Sequence, residues 1–302
     1  MVQFGIMLPH FGSAAQPGMV QTVAREAEEL GFDSVWVGDH MIVPSTERYI
    51  TNFVYDPFIV MATAAAVTER IRVGVSVLVI PYRHPVVMAR MISTLDQMSR
   101  GRVILGAAVG WMEQEFSALG LDVHERGART DEYLDCMAAL WDTDPTTFHG
   151  RWVNFEDMRQ RPKPLQDPLP IWIGGQSPAA IRRAAERGNG WLPNCEGRNS
   201  FAKSVATYRE ACERAGRPVG TICMRTHMEP EGESAKSDRP DFTGSDAQIA
   251  EDIDTFAALG ADHIQFAPRV RSVDQQLDVM RRLAHDIFPK VTAKQGATDT
   301  TS

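Results

Sequence analysis

Asp39 and His40 place a carboxylate next to an imidazole just where an apolar run, Ser34–Gly38, ends. Neighbouring residues on a strand face opposite sides, so one can face an open mouth while the other faces a wall. The imidazole there can act as a general base or hydrogen-bond a bound ring. It can equally be a satisfied structural histidine, with Asp39 as a cap. A second cluster is Gly174, Gly175, Gln176 and Ser177, followed at once by Pro178. Paired glycines let backbone approach a ligand closely. A helix opening at Ser177-Pro178 leaves N–H groups free for an anion, typically a phosphate. The same residues suit an ordinary left-handed turn capped by serine, and both readings stay open. The turn is neither a GxGxxG nor a GxxxxGK[ST] pattern.

Further polar and ring-bearing side chains follow other apolar runs. They are His10 and Phe11; Ser76 and then Tyr82, Arg83 and His84; Gly110 and Trp111; Asn194 and Cys195. Trp36 and Trp172 lie within apolar runs and read as core. Trp111, after a glycine at a run's end, reads as a cleft residue. The histidines show no HxH or HExxH spacing, so no metal site is expected. No GxSxG elbow is present, and no cysteine has an evident base partner, which argues against nucleophilic hydrolysis. No acid partner for His40 is evident.

Short β-branched runs alternate with long amphipathic segments along the chain. The spacing predicts strands at Gln3–Leu8, Ser34–Gly38, Arg72–Val79, Arg102–Val109, Pro170–Ile173, Gly190–Pro193, Thr221–Met228 and His263–Phe266. Helices are expected between them. Asp56-Pro57, Ser177-Pro178, Ser245 and Ser272 mark helix starts, and Gly31 marks an end. Eight strands alternating with helices predict a single (β/α)8 TIM barrel with insertion loops at its C-terminal face, over residues 1–290. An open doubly wound sheet is the alternative. Residues 291–302 are small and polar and read as a disordered tail. Asp142–Leu169 and Glu229–Gly244 read as irregular, and segments of that length are usually functional or mobile. In a parallel barrel the active site lies at the strands' C-terminal ends, where the residues above are placed.

Composition narrows the partners. With 31 basic against 39 acidic residues the net charge is -8, and no basic run suggests nucleic acid or an anionic membrane. No apolar run reaches the roughly 18 residues needed to cross a bilayer. No signal peptide is expected from the first residues. Four cysteines without CxxC spacing fit a reducing cytoplasm. Those in helical patterns, Cys136 and Cys212, are expected as buried thiols.

Taken in order, several segments resemble the luciferase-like monooxygenase superfamily across the chain to about Pro289. They are FGIMLPHFG, LGFDSVWVGDH, RIRVGVSVLVIPYRHPVVMARMISTLDQMSRGRVILGAAVGWMEQEFSALG, ERGARTDEYLDCMAALW, PIWIGGQSPAAIRRAAERGNGW and LGADHIQF. The resemblance implies a barrel of bacterial-luciferase type that binds reduced flavin or the deazaflavin coenzyme F420 at its mouth. Asp39-His40, the Tyr82–Pro85 turn and Gly110-Trp111 are most similar to the deazaflavin-dependent branch. It also implies a non-prolyl cis peptide at Ser76-Val77 under the ring, flanked by Val109, Gly110 and Trp111. Gly174, Gly175, Gln176 and Ser177 match the family's phosphate cup, and Asp39 joins the cofactor set. His40 matches a catalytic histidine of deazaflavin-dependent sugar-phosphate dehydrogenases. Those enzymes have an acid where this chain has Trp111, which speaks against a sugar-phosphate substrate and for an aromatic-walled pocket. His10, Phe11, Arg83, His84 and Asn194 are the expected substrate-pocket residues.

The activity so implied is hydride transfer between F420 and a small organic substrate. The alternatives are an FMN-dependent monooxygenase and a non-catalytic flavin- or deazaflavin-binding protein. A homodimer packed through helices near the second and third strands is also implied.

Overall fold

The computed structural model describes residues 1–47, 53–194, 197–228 and 239–292. The strands are β1 (Gln3–Met7), β2 (Ser34–Val37), β3 (Arg72–Val79), β4 (Val103–Ala108), β5 (Thr146–His149), β6 (Asn154–Met158), β7 (Ile171–Gly174), β8 (Gly190–Leu192), β9 (Thr221–Met228) and β10 (His263–Pro268). The helices are α1 (Met19–Glu29), α2 (Pro57–Ala66), α3 (Pro85–Met98), α4 (Glu113–Ala118), α5 (Arg126–Asp142), α6 (Pro178–Arg187), α7 (Arg198–Arg214), α8 (Asp246–Leu259) and α9 (Val273–Arg282). Eight strands close a barrel in the order β1-β10-β9-β8-β7-β4-β3-β2. The pairings within it are parallel. Helices cover the outside, as a parallel sheet requires. The chain is therefore a (β/α)8 barrel.

Local chemistry explains the boundaries. The Asp56 side chain accepts from the amides of Phe58 and Ile59, and Pro57 starts α2. Ser245 closes a capping box with Gln248 at α8. Side-chain alternation sends every second strand residue into the lumen. Trp36, Ile104, Trp172, Leu192 and Cys223 meet there as one buried layer. Gly5 and Gly74 make room for Trp36, since a Cβ on either would come 2.4 Å from the indole. In this layer the Ser34 hydroxyl lies 2.8 Å from His263 Nε2 and accepts from Trp36 Nε1. Above this plugged layer, open space lies toward the strands' C-terminal ends.

Two expectations about segments are corrected. Asp142–Leu169, expected as irregular and functional or mobile, is in part regular. It holds the antiparallel β5–β6 hairpin, which enters before β7 and packs along α5. Glu132 on α5 accepts the amides of Arg151, Trp152 and Val153, and none of the segment lines the cleft described below. The packed chain also runs past residue 290, because Val291 is fully buried. The remainder of the expected tail, 293–302, lies outside the described residues. So do residues 48–52, residues 229–238 of the segment expected as irregular, and Cys195. Cys136 and Cys212 are buried and free.

Candidate active site

A cleft of about 910 Å³ opens at the C-terminal end of the barrel. Its floor is made by β3, β4 and β7. The Ser76-Val77 peptide is cis, and the β3–β4 register shifts between Val75 and Leu78. The shift turns Val77 toward β7, where a Cβ on Gly174 would meet Val77 Cγ1 at 2.7 Å and the Ala108 methyl at 3.3 Å. Only glycine fits there, so Val77, Gly174 and Ala108 form one close-set apolar surface. Val109, Gly110 and Trp111 continue the lining from β4; Gly110 takes a φ of 78°.

The strand β7 turn is partly available to a ligand. Gly175, at φ 106°, donates its N–H to the Leu192 carbonyl, and its own carbonyl accepts from Trp191 Nε1. The Ser177 hydroxyl caps α6 by accepting from the Ala180 amide. The amides of Gln176, Ser177 and Ala179 have no partner among the described residues, and they stand at the positive end of α6. That set suits a phosphate. A broad apolar floor beside an amide cup fits a planar ring with a phosphate-bearing tail.

His40 lines the cleft opposite this cup, and its Nδ1 lies 2.8 Å from Glu115 Oε2. Glu115 is fully buried on α4. It accepts from the Met41 amide at 2.8 Å, the Ile42 amide at 3.2 Å and the Tyr82 hydroxyl at 2.9 Å. Burial alone would raise this carboxyl. The hydrogen bonds from His40 and Met41 outweigh it and hold the pKa below its ordinary value. Burial, reinforced by the Glu115 charge, pushes the Tyr82 hydroxyl far up, so it stays a donor. A carboxylate can only accept, so Nδ1 carries a proton, and in the neutral imidazole Nε2 then carries none. Nε2 is left as a lone-pair acceptor with no partner among the described residues. The Trp111 ring stands edge-on to His40 at 6.3 Å, with its own side chain largely in solvent.

His40 therefore does have an acid partner, contrary to the sequence expectation. Glu115 lies one helical turn beyond Trp111, on the face shared by the buried Met112 and Phe116. An acid three residues after Met112 and one before Phe116, on that apolar face, was the available signal.

The remaining expected residues divide. Asp39 lines the cleft wall, but its carboxylate accepts from the Val79 amide at 3.0 Å and from both Arg83 terminal nitrogens at 2.7 and 2.9 Å. It braces the β3 bulge. Arg83 also reaches Asp56 at 3.0 Å and sits over the Phe58 ring. It is a wall residue, not a pocket residue. His84 is also placed elsewhere: it is exposed and caps α3 by accepting from the Val86 amide. His10, Phe11 and Asn194 do line the cleft. Both His10 nitrogens are engaged, however. Nε2 accepts from the Gly38 amide at 2.7 Å, which leaves Nδ1–H to donate to the Leu8 carbonyl. Burial is the main cause that lowers its pKa to about 4, so it is a neutral tie between β1 and β2.

The sequence reading did not single out Arg225 and His227 of β9, nor Arg269 and Gln276. Among the described residues no cluster of acids, histidines and cysteines could hold a metal, and no helix is long and apolar enough to cross a membrane.

The chain matches the model of the family described as luciferase-like monooxygenase over residues 2–229. It is 31% identical over 225 residues to an F420-dependent glucose-6-phosphate dehydrogenase of Kineococcus radiotolerans, covering 72% of this chain and 65% of that one. A protein of the same name from Amycolatopsis mediterranei is 32% identical over 205 residues, covering 66% and 60%. The matches thus span less than two thirds of these relatives' length. Among solved structures, the monooxygenase RslO1 from Streptomyces bottropensis superposes with a TM-score of 0.81 at 22% identity, over 95% of this chain and 99% of that one. With the family's model matched over three quarters of its length, the chain belongs to the luciferase-like monooxygenase family.

Proposed function

We propose that the chain is an F420-dependent oxidoreductase that interconverts an alcohol and a carbonyl compound. The observation that carries the proposal is His40, with an open Nε2 and a buried carboxylate behind it, facing the same cleft as the Val77–Gly174 floor and the Gln176–Ala179 amides. The relatives named as F420-dependent dehydrogenases support the choice of cofactor. When bound, the deazaflavin would supply a ring carbon that exchanges a hydride with the substrate.

The chain's own part is positioning and proton handling. Val77, Gly174 and Ala108 support the ring, and the amides before and within the first turn of α6 hold the phosphate of its tail. His40 Nε2 takes the hydroxyl proton as the substrate's C–H hydride departs, and returns it in the reverse direction. The ionised Glu115 stabilises the imidazolium so formed, while Tyr82 and the Met41 and Ile42 amides keep Glu115 in place. Trp111 walls the substrate side with an aromatic edge, which suits an organic substrate less polar than a sugar phosphate. The same proposal includes a cytoplasmic protein with free thiols. It also includes a homodimer packed through α2 and α3, whose exposed Ile59, Val87 and Met98 support that arrangement.

The test is anaerobic turnover. Oxidised F420 with a panel of primary and secondary alcohols should lose its visible absorbance in the presence of the wild-type chain. His40→Ala should be slower by about 10²–10⁴-fold, the range for a positioned general base. An oxidation that His40→Ala runs at the wild-type rate would sink the proposed role. So would reaction with reduced FMN and oxygen and none with F420.

A further inference from the structure

One basic side chain at the bottom of the cleft has no part in the chemistry above. Cys223 on β9 belongs to the buried lumen layer, so Arg225 and His227 on the same strand also face inward. Both line the cleft. In the barrel order, β9 stands four strands from β3 in either direction. Arg225 nevertheless reaches across, and its Nη1 stands 3.5 Å from the Ser76 carbonyl. That carbonyl belongs to the cis Ser76-Val77 peptide. The guanidinium thus lies against the edge of the ring floor. Its charge is also among the causes that lower the basicity of His10. Its register partner on β10, Gln265, is fully buried, and neither amide atom of Gln265 has a partner among the described residues. Arg225 is itself only partly exposed, so its field is less screened than that of a surface charge.

We propose that Arg225 binds the pyrimidine edge of the reduced cofactor, at N1 and the C2 carbonyl, and so sets the potential of the bound ring. The assignment rests on the deazaflavin reading of the cleft. Three chemical facts select this edge. A guanidinium offers only donors, so it needs acceptors. On a deazaflavin or flavin ring the pyrimidine edge carries them, and the reduced ring places its negative charge over N1 and C2. The phosphate tail leaves from N10, on the N1 side. A tail held at the β7 turn therefore turns that edge toward β8 and β9, where Arg225 stands. Two parallel N–H groups match N1 and the carbonyl oxygen as they match a carboxylate. A charge near N1 tunes the ring's electronics.

The test compares the affinities of oxidised and reduced F420 for wild type, Arg225→Gln and Arg225→Lys, by anaerobic fluorescence titration. Arg225→Gln should weaken binding of the reduced form by about tenfold or more and leave the oxidised form within about threefold. A tenfold loss lowers the midpoint potential of the bound two-electron couple by about 30 mV. Arg225→Lys, which keeps the charge without the fork, should fall between. A readout on wild type alone guards against variants that fail to fold. The N1–H of reduced F420, followed by absorbance against pH, should ionise at a lower pH when bound than when free. Equal weakening of both forms, an unchanged ratio, or an unshifted N1 ionisation would overturn the assignment. Wild type that binds neither form would overturn it together with the deazaflavin reading. Wild type that binds F420 with an unshifted ratio defeats Arg225 alone.

Discussion

Glu115→Gln is expected to lower kcat by about 10²–10⁴-fold while leaving the affinity for F420 within about threefold. Four donors converge on this buried carboxylate: His40 Nδ1, the Tyr82 hydroxyl and the amides of Met41 and Ile42. An amide of the same shape has one oxygen, and its NH₂ must point hydrogens at one pair of those donors. If the NH₂ faces His40, the imidazole has to move its proton to Nε2 and loses its role as an acceptor from substrate. If it faces the backbone, the Met41 and Ile42 amides are left buried and unpaired. Either arrangement costs stability, on the order of 1–3 kcal/mol per unmet group. Neither touches the Val77–Gly174 floor or the β7 cup, so cofactor binding survives. Tyr82→Phe removes one donor and should have a much smaller effect. Steady-state kinetics, F420 titration and a thermal melt on the two variants check this. Wild-type kcat in Glu115→Gln would remove Glu115 from the account.

Stability should fall steeply as pH drops from about 6.5 to about 5, above the range where most carboxylates titrate. The cause is a pair of buried histidines, His10 just beyond β1 and His263 on β10. Burial is the main influence that lowers His10 to about 4 and His263 to about 3, from an ordinary 6.5. The unfolded chain therefore takes up protons in this window and the folded chain does not. Stability is full above the unfolded value and is lost as pH falls below it. Across their windows the shifts correspond to roughly 3 kcal/mol for His10 and roughly 5 kcal/mol for His263. Near pH 5 the two together give a slope of about 2–3 kcal/mol per pH unit. Glu115 does not add to this slope. Its folded value lies below the ordinary 4.5, so its contribution is lost only under more acid conditions. Urea unfolding at pH 7.5, 6 and 5 measures the slope, and a flat profile would mean that the two imidazoles are protonated in the folded barrel.

The barrel was legible because its strands are buried on both faces and read as apolar β-branched runs, as in Val73 to Val79 and Val103 to Ala108. Asp56-Pro57, Ser177-Pro178 and Ser245 marked helix starts because capping is local chemistry. The β5–β6 hairpin was not legible. Most of Asn154–Met158 is exposed, so no apolar alternation marks it, and its turn is held by Glu132 of the preceding helix. Asp39, His40 and the β7 turn could be placed at the cleft because a parallel barrel sends strand ends there. Arg83 and His84 could not be sorted from them, since one turn supplies a wall ion pair and a helix cap. Glu115 and Arg225 were missed for a common reason. Each is a charged residue within a regular element, and its role follows from which way the element faces once the barrel closes.

The central claim is that this cleft holds a deazaflavin, and the most direct measurement is equilibrium titration of the purified chain with F420 and, separately, with FMN, in oxidised and reduced forms. The account predicts saturable F420 binding at about one per chain, with FMN at least about tenfold weaker. Gly174→Val, which would drive a side chain into Val77, should abolish the F420 signal. Tight reduced-FMN binding with no measurable F420 binding would contradict the account.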